Sequence, residues 1–447
     1  MNVIERLGKT RPGIWLRDGL QCRDRNDQFA LFGLLLLALS AGPFANLAGV
    51  GLTVLLVAFL TSRRKVTHWR DPMAILVLAF LGYLSLNFLI GLQLSPHLVR
   101  EHLSQALYLL SVPTLTLLVA WGFQARLARI RLVLITALLG YVLAVILPLW
   151  LGEVSLDSFL GGERQSMRFG NPIRLGLYSA TVLLALLIWQ PVWRTLEPRR
   201  VALIVLYLLV MLLAIQSLIV SQARISWIGA GLVLPLILAL RLWIFPVGVQ
   251  SLRGLLTVTA FGVATVMAGI YVNHDTILER WTSETPTIVA ALKGEEVEMD
   301  SFGTRVHMWR LGLEQFQERP WLGHGPASAE DYLRQYGSPL SDFSHLHSTP
   351  IDLLVRTGIL GLLLMAVFVV VVLHAWYQAW RDRLVDRRIL LFALGTILLL
   401  LIDSITGYPI SRTQGRFYIA LVGGLAYTGY LYRSQPAAGT RSREAFG

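Results

Sequence analysis

Residues 358–376 read GILGLLLMAVFVVVVLHAW, and no Asp, Glu, Lys or Arg interrupts them. A helix needs about 20 such residues to cross the roughly 30 Å of hydrocarbon in a bilayer. Similar blocks recur along the chain, whose 447 residues are 55% hydrophobic and only 15% charged. In hydrocarbon every backbone N–H and C=O needs an internal partner, so only helices and closed barrels span it. Because the blocks are continuous rather than alternating, they predict an all-α integral membrane protein.

We predict twelve transmembrane helices, with one long hydrophilic connection between the ninth and the tenth. The first two and the eighth are short, so one of them can be re-entrant instead. The predicted spans are 27–44, 47–62, 73–92, 104–123, 131–151, 173–192, 201–220, 225–240, 252–272, 349–376, 389–407 and 414–432. The chain then divides into a basic tail (1–26), helices one to nine (27–272), a long loop (273–348), helices ten to twelve (349–432) and a second tail (433–447).

Lysine and arginine indicate the orientation, because they are enriched in cytoplasmic loops. With the amino terminus in the cytoplasm, every connection on that side is basic; Arg381, Arg383, Arg387 and Arg388, for example, follow the tenth span. Both termini are therefore predicted to be cytoplasmic, and loop 273–348 faces the other side. These flanking residues also explain the formal charge of +12, so we expect a membrane-lipid environment and no nucleic-acid partner.

The long loop is predicted to fold locally. Residues 301–319 place apolar side chains at spacings of three and four, the pattern of an amphipathic helix. Asp300 or Ser301 can cap its start, and Pro320 lies just beyond its end. A second short helix is predicted around 327–336, and loops this long with internal order are usually functional. The apolar stripe of the first helix consists of Phe302, Val306, Trp309, Leu313 and Phe316.

Several arginines lie at span ends or in the long loop, all on the same side of the membrane. Arg224 opens the eighth span, where a snorkelling interfacial arginine is the alternative interpretation. Arg305 lies on the predicted loop helix, where the alternative is a solvated face. Arginine grips phosphate with two parallel hydrogen bonds, and no P-loop suggests ATP, so the pattern favours a lipid-linked phosphate. Further arginines on this side are Arg164, Arg168, Arg174, Arg412 and Arg416.

His345 and His347 lie where the long loop re-enters the membrane. Such a pair can ligate a metal, but no third or fourth ligand is near in the sequence, so no metal site is predicted. A neutral histidine can instead accept a proton from a hydroxyl; the alternative is an interfacial histidine bonded to backbone. Asp352 and Arg356 follow on one helix face and can pair, mainly as a structural feature.

Three motifs occur in the order found in the O-antigen ligase family, which this chain resembles. The wider group includes O-antigen polymerases and bacterial O-linked oligosaccharyltransferases. Residues 224–227 (RISW) look like the family's Ser-Arg-x-x-Trp element, with Ala223 replacing the serine. Residues 305–325 look like its Arg-x-x-x-Trp and Pro-x-x-Gly-x-Gly elements. Residues 347–361 fit the family's third element, which is a histidine, then Asn, Ser or Gln, nine further residues, and two glycines separated by two residues. Ser348 stands here where asparagine is common in the wider group.

The resemblance implies a glycosyltransferase, similar in architecture to the C-type membrane glycosyltransferases. The implied donor is O-antigen polysaccharide on undecaprenyl diphosphate, and the implied acceptor is a sugar hydroxyl of lipid A-core oligosaccharide. Transfer would occur at the periplasmic face of a bacterial inner membrane, with inversion and without metal or other cofactor. Arg224 and Arg305 would then neutralise the leaving diphosphate, and His347 would act as general base, orient the acceptor or bind phosphate as imidazolium. The substrate-binding candidates are Arg164, Arg168, His345, Trp309 and Arg356.

Other functions remain open at this point. An O-antigen polymerase would use the same donor with a second lipid-linked glycan as acceptor, and a protein-glycosylating relative would use a serine or threonine. A transporter or flippase would place polar residues near the bilayer midplane, often in two related halves. Here the notable charges cluster at one side and no internal repeat is visible, which favours an enzyme.

Overall fold

The computed structural model describes residues 24–40, 47–62, 70–189, 198–245, 271–338 and 340–433, with isolated positions in 20–22 and 260–269. Nearly all of both predicted tails and most of the predicted ninth span lie outside these residues. Every regular element in the described part of the chain is helical, and this confirms the predicted all-α architecture.

The described helices are α1 (Arg25–Leu39), α2 (Leu47–Thr61), α3 (Pro72–Leu94), α4 (Val99–Phe123), α5 (Leu127–Trp150), α6 (Leu156–Leu160), α7 (Pro172–Ile188), α8 (Pro198–Val220), α9 (Arg224–Ile244), α10 (His274–Lys293), α11 (Ser301–Glu318), α12 (Ser328–Gln335), α13 (Thr349–Arg381), α14 (Arg387–Thr406) and α15 (Thr413–Leu431). Seven of them, α3, α4 with its preceding turn, α5, α8, α9, α13 and α14, are long and apolar enough to cross a membrane, and α2 and α7 are shorter apolar helices. The eighth predicted span, α9, is not short, because it has 21 residues.

The ends of these helices define two faces of the bundle. On the first, Thr349 at the start of α13 donates a 2.7 Å hydrogen bond to the carbonyl of Gly407, just after α14. Arg174 near the start of α7 reaches Gln414 near the start of α15 at 2.8 Å. Ser95, between α3 and α4, binds Asp331 of α12 at 2.5 Å. We call this side the loop face, because α11 and α12 lie there.

Helix α13 is interrupted at Gly358, which has φ 60° and ψ −168°. Residues 320–325 dock on this break. Their backbone groups exchange hydrogen bonds with it, including Ile359 N–H to Pro320 O at 2.8 Å and Gly325 N–H to Arg356 O at 3.0 Å. A Cβ on Gly358 would collide with the carbonyl of Trp321. The predicted continuous tenth span is therefore two helical segments, and the glycine motif marks a place where two backbones touch.

The long loop contains both predicted helices, α11 and α12, and a third, α10, that the sequence did not predict. Asp300 caps α11 as expected, because its side chain accepts hydrogen bonds from the N–H groups of Phe302 and Gly303. The predicted apolar stripe is partly wrong, since Leu313 is 44% exposed. Instead Met308 and Leu311 are buried, because the helix packs sideways against the start of α13 and α12.

Candidate active site

Residues 343–348 form a turn at the loop face that we call the histidine loop. Asp352, one turn into α13, accepts a 2.5 Å hydrogen bond from the backbone N–H of Leu346. Arg356, one turn further, pairs with Asp352 and donates a 2.8 Å hydrogen bond to the carbonyl of Ser344. It also donates to the carbonyl of Pro326. The first two turns of α13 thus grip the histidine loop on both sides of His345.

The apolar side of the histidine loop is anchored as well. Leu346 is 1% exposed and belongs to a small hydrophobic cluster with Met308 of α11, Leu333 of α12 and Val355 of α13. Because Leu346 points into this cluster, its two neighbours, both only partly buried, point away from it. His347 itself has φ 51°, a left-handed conformation that few non-glycine residues adopt.

The two imidazoles lie side by side. The ring centroids of His345 and His347 are 4.3 Å apart, and Phe343 packs edge-on against His347 at 5.2 Å. On the other side, the ring of Tyr408, in the connection between α14 and α15, lies 5.8 Å from His345. The hydroxyl of Tyr408 is buried and has no hydrogen-bond partner among the described residues.

Both histidines are held in the neutral form. Burial, the neighbouring His345 and the guanidinium of Arg305 lower the pKa of His347 to about 3, against the opposing charge of Asp352. Burial and nearby arginines likewise lower the pKa of His345 to about 4. An uncharged imidazole offers a lone pair that can accept a hydrogen bond from a hydroxyl and then its proton.

The pKa shifts also identify which arginines lie near each histidine. Arg305, half-buried on α11, acts on His347. Arg356, Arg412 and Arg174 act on His345. The long loop, α7 and the connection before α15 therefore bring positive charge to the same place, as expected for a site that binds an anion.

Arg224 and Arg164 are brought together by the turn between α8 and α9. The carbonyl of Gly162 accepts a 3.0 Å hydrogen bond from the side chain of Gln222, and the N–H of Gln165 donates to Val220 at 2.9 Å. These bonds bring the segment of the exposed Arg164 to the turn that leads into the half-buried Arg224, the first residue of α9. Two of the predicted arginines therefore share one corner of the loop face.

Three other candidates have local partners. Arg168 pairs with Glu153 across the segment before α7, so its charge is partly neutralised. Arg356 is fully buried and bound on all sides, so it holds the histidine loop and is not placed to touch substrate directly. Trp309 packs edge-on against Phe302, and its buried indole N–H has no partner among the described residues. That unused donor keeps Trp309 a candidate for substrate binding.

The side chains around the histidines are not arranged as a set of metal ligands. Among the described residues, the carboxylate that acts on the pKa of His347 is Asp352, and its two oxygens accept hydrogen bonds from Leu346 and Arg356. In the described part of the chain, no three His, Cys, Asp or Glu side chains gather closely enough to hold an ion.

Sequence reasoning missed Tyr408 as a neighbour of the histidines. It lies more than 60 residues from them in the chain and has none of the charge that singled out the arginines. The only signal in the sequence is its position in a short polar connection, residues 407–412, on the same side of the membrane as the long loop.

Residues 209–366 match the sequence model of a protein family described as O-antigen ligase. This part of the chain is therefore similar to the O-antigen ligase domain. It begins within α8 and ends in α13 beyond the break at Gly358, so it contains all three motifs and most of the loop face described above. A comparison with curated proteins gave no match. The resemblance to the O-antigen ligase family is thereby confirmed for the region that carries the histidine loop, Arg224 and Arg305.

Proposed function

We propose that the protein is an O-antigen ligase. It would transfer O-antigen polysaccharide from undecaprenyl diphosphate to a sugar hydroxyl of lipid A-core oligosaccharide. The observation that carries the proposal is the neutral His347, held by α13 beside Arg305 within the region that is similar to the O-antigen ligase domain. One group can receive a proton and the other can receive a phosphate, and a transfer from a lipid diphosphate to a hydroxyl needs both.

In the proposed reaction the acceptor oxygen attacks the anomeric carbon of the donor sugar. Its proton passes to the imidazole of His347. The bond between the anomeric carbon and the diphosphate oxygen breaks on the opposite face of the sugar, and the electron pair leaves with the diphosphate. The new glycosidic bond therefore has inverted configuration. The guanidinium groups of Arg305 and Arg224 stabilise the charge that grows on the leaving group.

The low pKa of His347 fits this scheme because Arg305, the proposed diphosphate-binding group, is one of its causes. In the free protein, burial and the positive charge of Arg305 keep the imidazole unprotonated. A bound diphosphate neutralises Arg305 and brings negative charge nearby. Both changes raise the pKa of His347 towards the working pH, where a general base is most effective. Donor binding would therefore activate the base.

The loop face would lie in the periplasm of a bacterial inner membrane, with both termini in the cytoplasm. Basic residues on the opposite face support this orientation by the positive-inside rule. Arg131 near the start of α5 and Arg387 at the start of α14 are examples. Lipid-linked polysaccharide and lipid A-core would both approach from the outer leaflet.

The deciding experiment is reconstitution of the purified protein in EDTA with undecaprenyl-diphosphate-linked O-antigen and lipid A-core. We expect a lipopolysaccharide ladder on a gel from the wild type and none from His347→Ala, Arg224→Ala or Arg305→Ala. Arg310→Ala is the matched control, because Arg310 is exposed on the same helix as Arg305 and should remain active.

Two results would contradict the proposal. Longer lipid-linked polymer without lipopolysaccharide would assign the protein as an O-antigen polymerase, which shares the family and the donor. A requirement for added Mg²⁺ or Mn²⁺ would contradict the metal-independent scheme.

A further inference from the structure

A cavity of about 390 Å³ lies between α5, α7, α14 and α15, away from the histidine loop. Its walls are almost wholly apolar, and Leu134, Leu138, Ala185, Val422 and Leu425 are among the residues that line it. The cavity is open on one side. Because these helices lie within the membrane-spanning bundle, the medium at that opening is hydrocarbon rather than water.

A row of aromatic rings closes the cavity towards the loop face. Ring centroids follow one another from Tyr141 to Phe169, Tyr178 and Tyr418 at 5.9, 5.1 and 5.0 Å. The hydroxyl of Tyr418 pairs with Thr181 at 2.5 Å. The hydroxyls of Tyr141 and Tyr178 also have partners within the protein. The row leaves no unused polar group for a ligand and separates the cavity from Arg174.

The depth of the cavity matches one leaflet. Along α5 it runs from Arg131 to Tyr141, ten residues or about 15 Å of helix. That is about half of the roughly 30 Å hydrocarbon core. The cavity lies in the half of the membrane that is away from the loop face, because α5 begins at that opposite side.

Two interfacial side chains mark the mouth. Arg131 and Trp189 line the cavity at this end, and both residue types are typical of the membrane–water boundary. Arg131 lies 3.9 Å from Asp386, and both side chains are about one-third exposed. That distance is too long for a hydrogen bond, so the guanidinium keeps donors for another anion. Asp386 uses its other oxygen to cap α14.

We propose that this cavity binds one acyl chain of a phospholipid from the leaflet opposite the loop face, with the lipid phosphate on Arg131. The apolar walls cannot hold ordered water, which needs polar partners, whereas hydrocarbon has direct access. The guanidinium at the mouth supplies the charge that a phosphate requires. The chain would fill the space between α7 and α15, the helices that carry Arg174 and Gln414 at their other ends.

The site is distinct from the proposed donor site. A donor whose diphosphate meets Arg224 and Arg305 would have its headgroup at the loop face, and its polyprenyl chain would start in the other leaflet. The row of rings from Tyr141 to Tyr418 lies between the two. Binding in the cavity therefore concerns a resident lipid and is independent of the proposed ligase activity.

The test is native mass spectrometry of the protein in mild detergent, with phosphatidylglycerol and phosphatidylethanolamine as probes. We expect the wild type to retain a phospholipid after washing. Ala185→Phe, which fills the cavity, should lose it. Ala202→Phe, a matched change on an exposed position of α8, should keep it. Arg131→Ala should weaken binding about tenfold, as for loss of a charge-assisted hydrogen bond, whereas Arg433→Ala, a matched exposed arginine on the same face, should not.

Equal lipid retention by Ala185→Phe and wild type would overturn the proposal, and so would displacement of the lipid by undecaprenyl phosphate. If Ala185→Phe does not fold, Leu138→Phe on the opposite wall provides the same test. No donor or acceptor sugar is present in the measurement, so its failure would leave the ligase assignment untouched.

Discussion

The carboxylate of Asp352 accepts a 2.5 Å hydrogen bond from the backbone N–H of Leu346. Leu346 is the residue between the two histidines, so a helix that enters the membrane holds the candidate base by its backbone. The same carboxylate pairs with the fully buried Arg356, which also binds Ser344. The ion pair therefore acts as a positioning device for the histidine loop.

We predict that Asp352→Asn lowers kcat by at least tenfold and lowers the thermal stability. The change weakens the grip on Leu346 and leaves the buried guanidinium of Arg356 without its counter-ion, a loss that typically costs about 3–5 kcal/mol. Ligation assays and thermal unfolding in detergent measure the two effects. The exposed pair Arg381–Asp382 supplies the control: Asp382→Asn should change neither. Wild-type kcat in Asp352→Asn would contradict a positioning role.

We predict that protonation of His347 causes no loss of kcat/KM between pH 8 and pH 5. Burial and its neighbours lower the pKa of His347 to about 3, so the neutral form persists far below the usual histidine pKa. The profile of kcat/KM, which reports the free enzyme, should be flat on its acid side in this range. The acid limb of the kcat profile should lie at a higher pH than that of kcat/KM, because bound diphosphate raises the pKa of His347. An acid limb of kcat/KM near pH 6.5 would contradict the structure.

The same pKa depression affects stability in a definite direction. In the unfolded chain His347 takes up a proton near pH 6.5, whereas the folded protein resists protonation down to about pH 3. The unfolded state binds more protons in this interval, so stability falls as the pH decreases through it. We predict that His347→Gln reduces this acid-induced loss of stability. Unfolding midpoints at pH 7 and pH 4.5 test it, with His274→Gln, an exposed histidine, as the control.

We predict that Arg305→Lys and Arg224→Lys each reduce kcat/KM, by up to about 10²–10³-fold if the arginine acts in the transition state. A lysine keeps the charge but cannot donate two parallel hydrogen bonds to phosphate. Arg305→Ala should in addition raise the pKa of His347, because it removes a charge that lowers this pKa; an NMR titration of the imidazole measures the shift without needing activity. Arg224 is not among the groups that shift this pKa, so Arg224→Ala should leave it in place. Normal ligation by both lysine variants would contradict bidentate binding.

We predict that Gly358→Ala destabilises the protein, because the new Cβ would strike the carbonyl of Trp321 and would require a positive φ. Gly82→Ala is the matched change, since nothing lies within 4 Å of a Cβ at that position of α3. There alanine should be neutral or stabilising by its higher helix propensity. Thermal unfolding of both variants distinguishes the two sites, and an unchanged midpoint for Gly358→Ala would contradict the docking of residues 320–325 on α13.

The sequence predicted features that depend on neighbours along the chain. Hydrophobic blocks identified the spanning helices, and Asp300 identified the start of α11, because a cap acts within three residues. The two loop helices and the convergence of Arg305 with His347 followed from the same local signals and from the family resemblance.

Features that depend on distant contacts were missed or misread. The break at Gly358 exists because residues 320–325 bind there, which no helical periodicity reveals. The buried face of α11 centres on Met308 because α12 and α13 pack on that side. Helix α10 is polar and contains Pro286 in its interior, so its sequence resembles a loop.

The anchoring of Leu346 in the cluster of α11, α12 and α13 also determines which way the neighbouring side chains of the histidine loop point. His345 and His347 point away from this cluster only while Leu346, the residue between them, is packed in it. Deleting a single residue from 341–344 would instead pull Leu346 away from this cluster and from the carboxylate of Asp352. The length of this loop is therefore as important for the proposed catalysis as the histidines themselves.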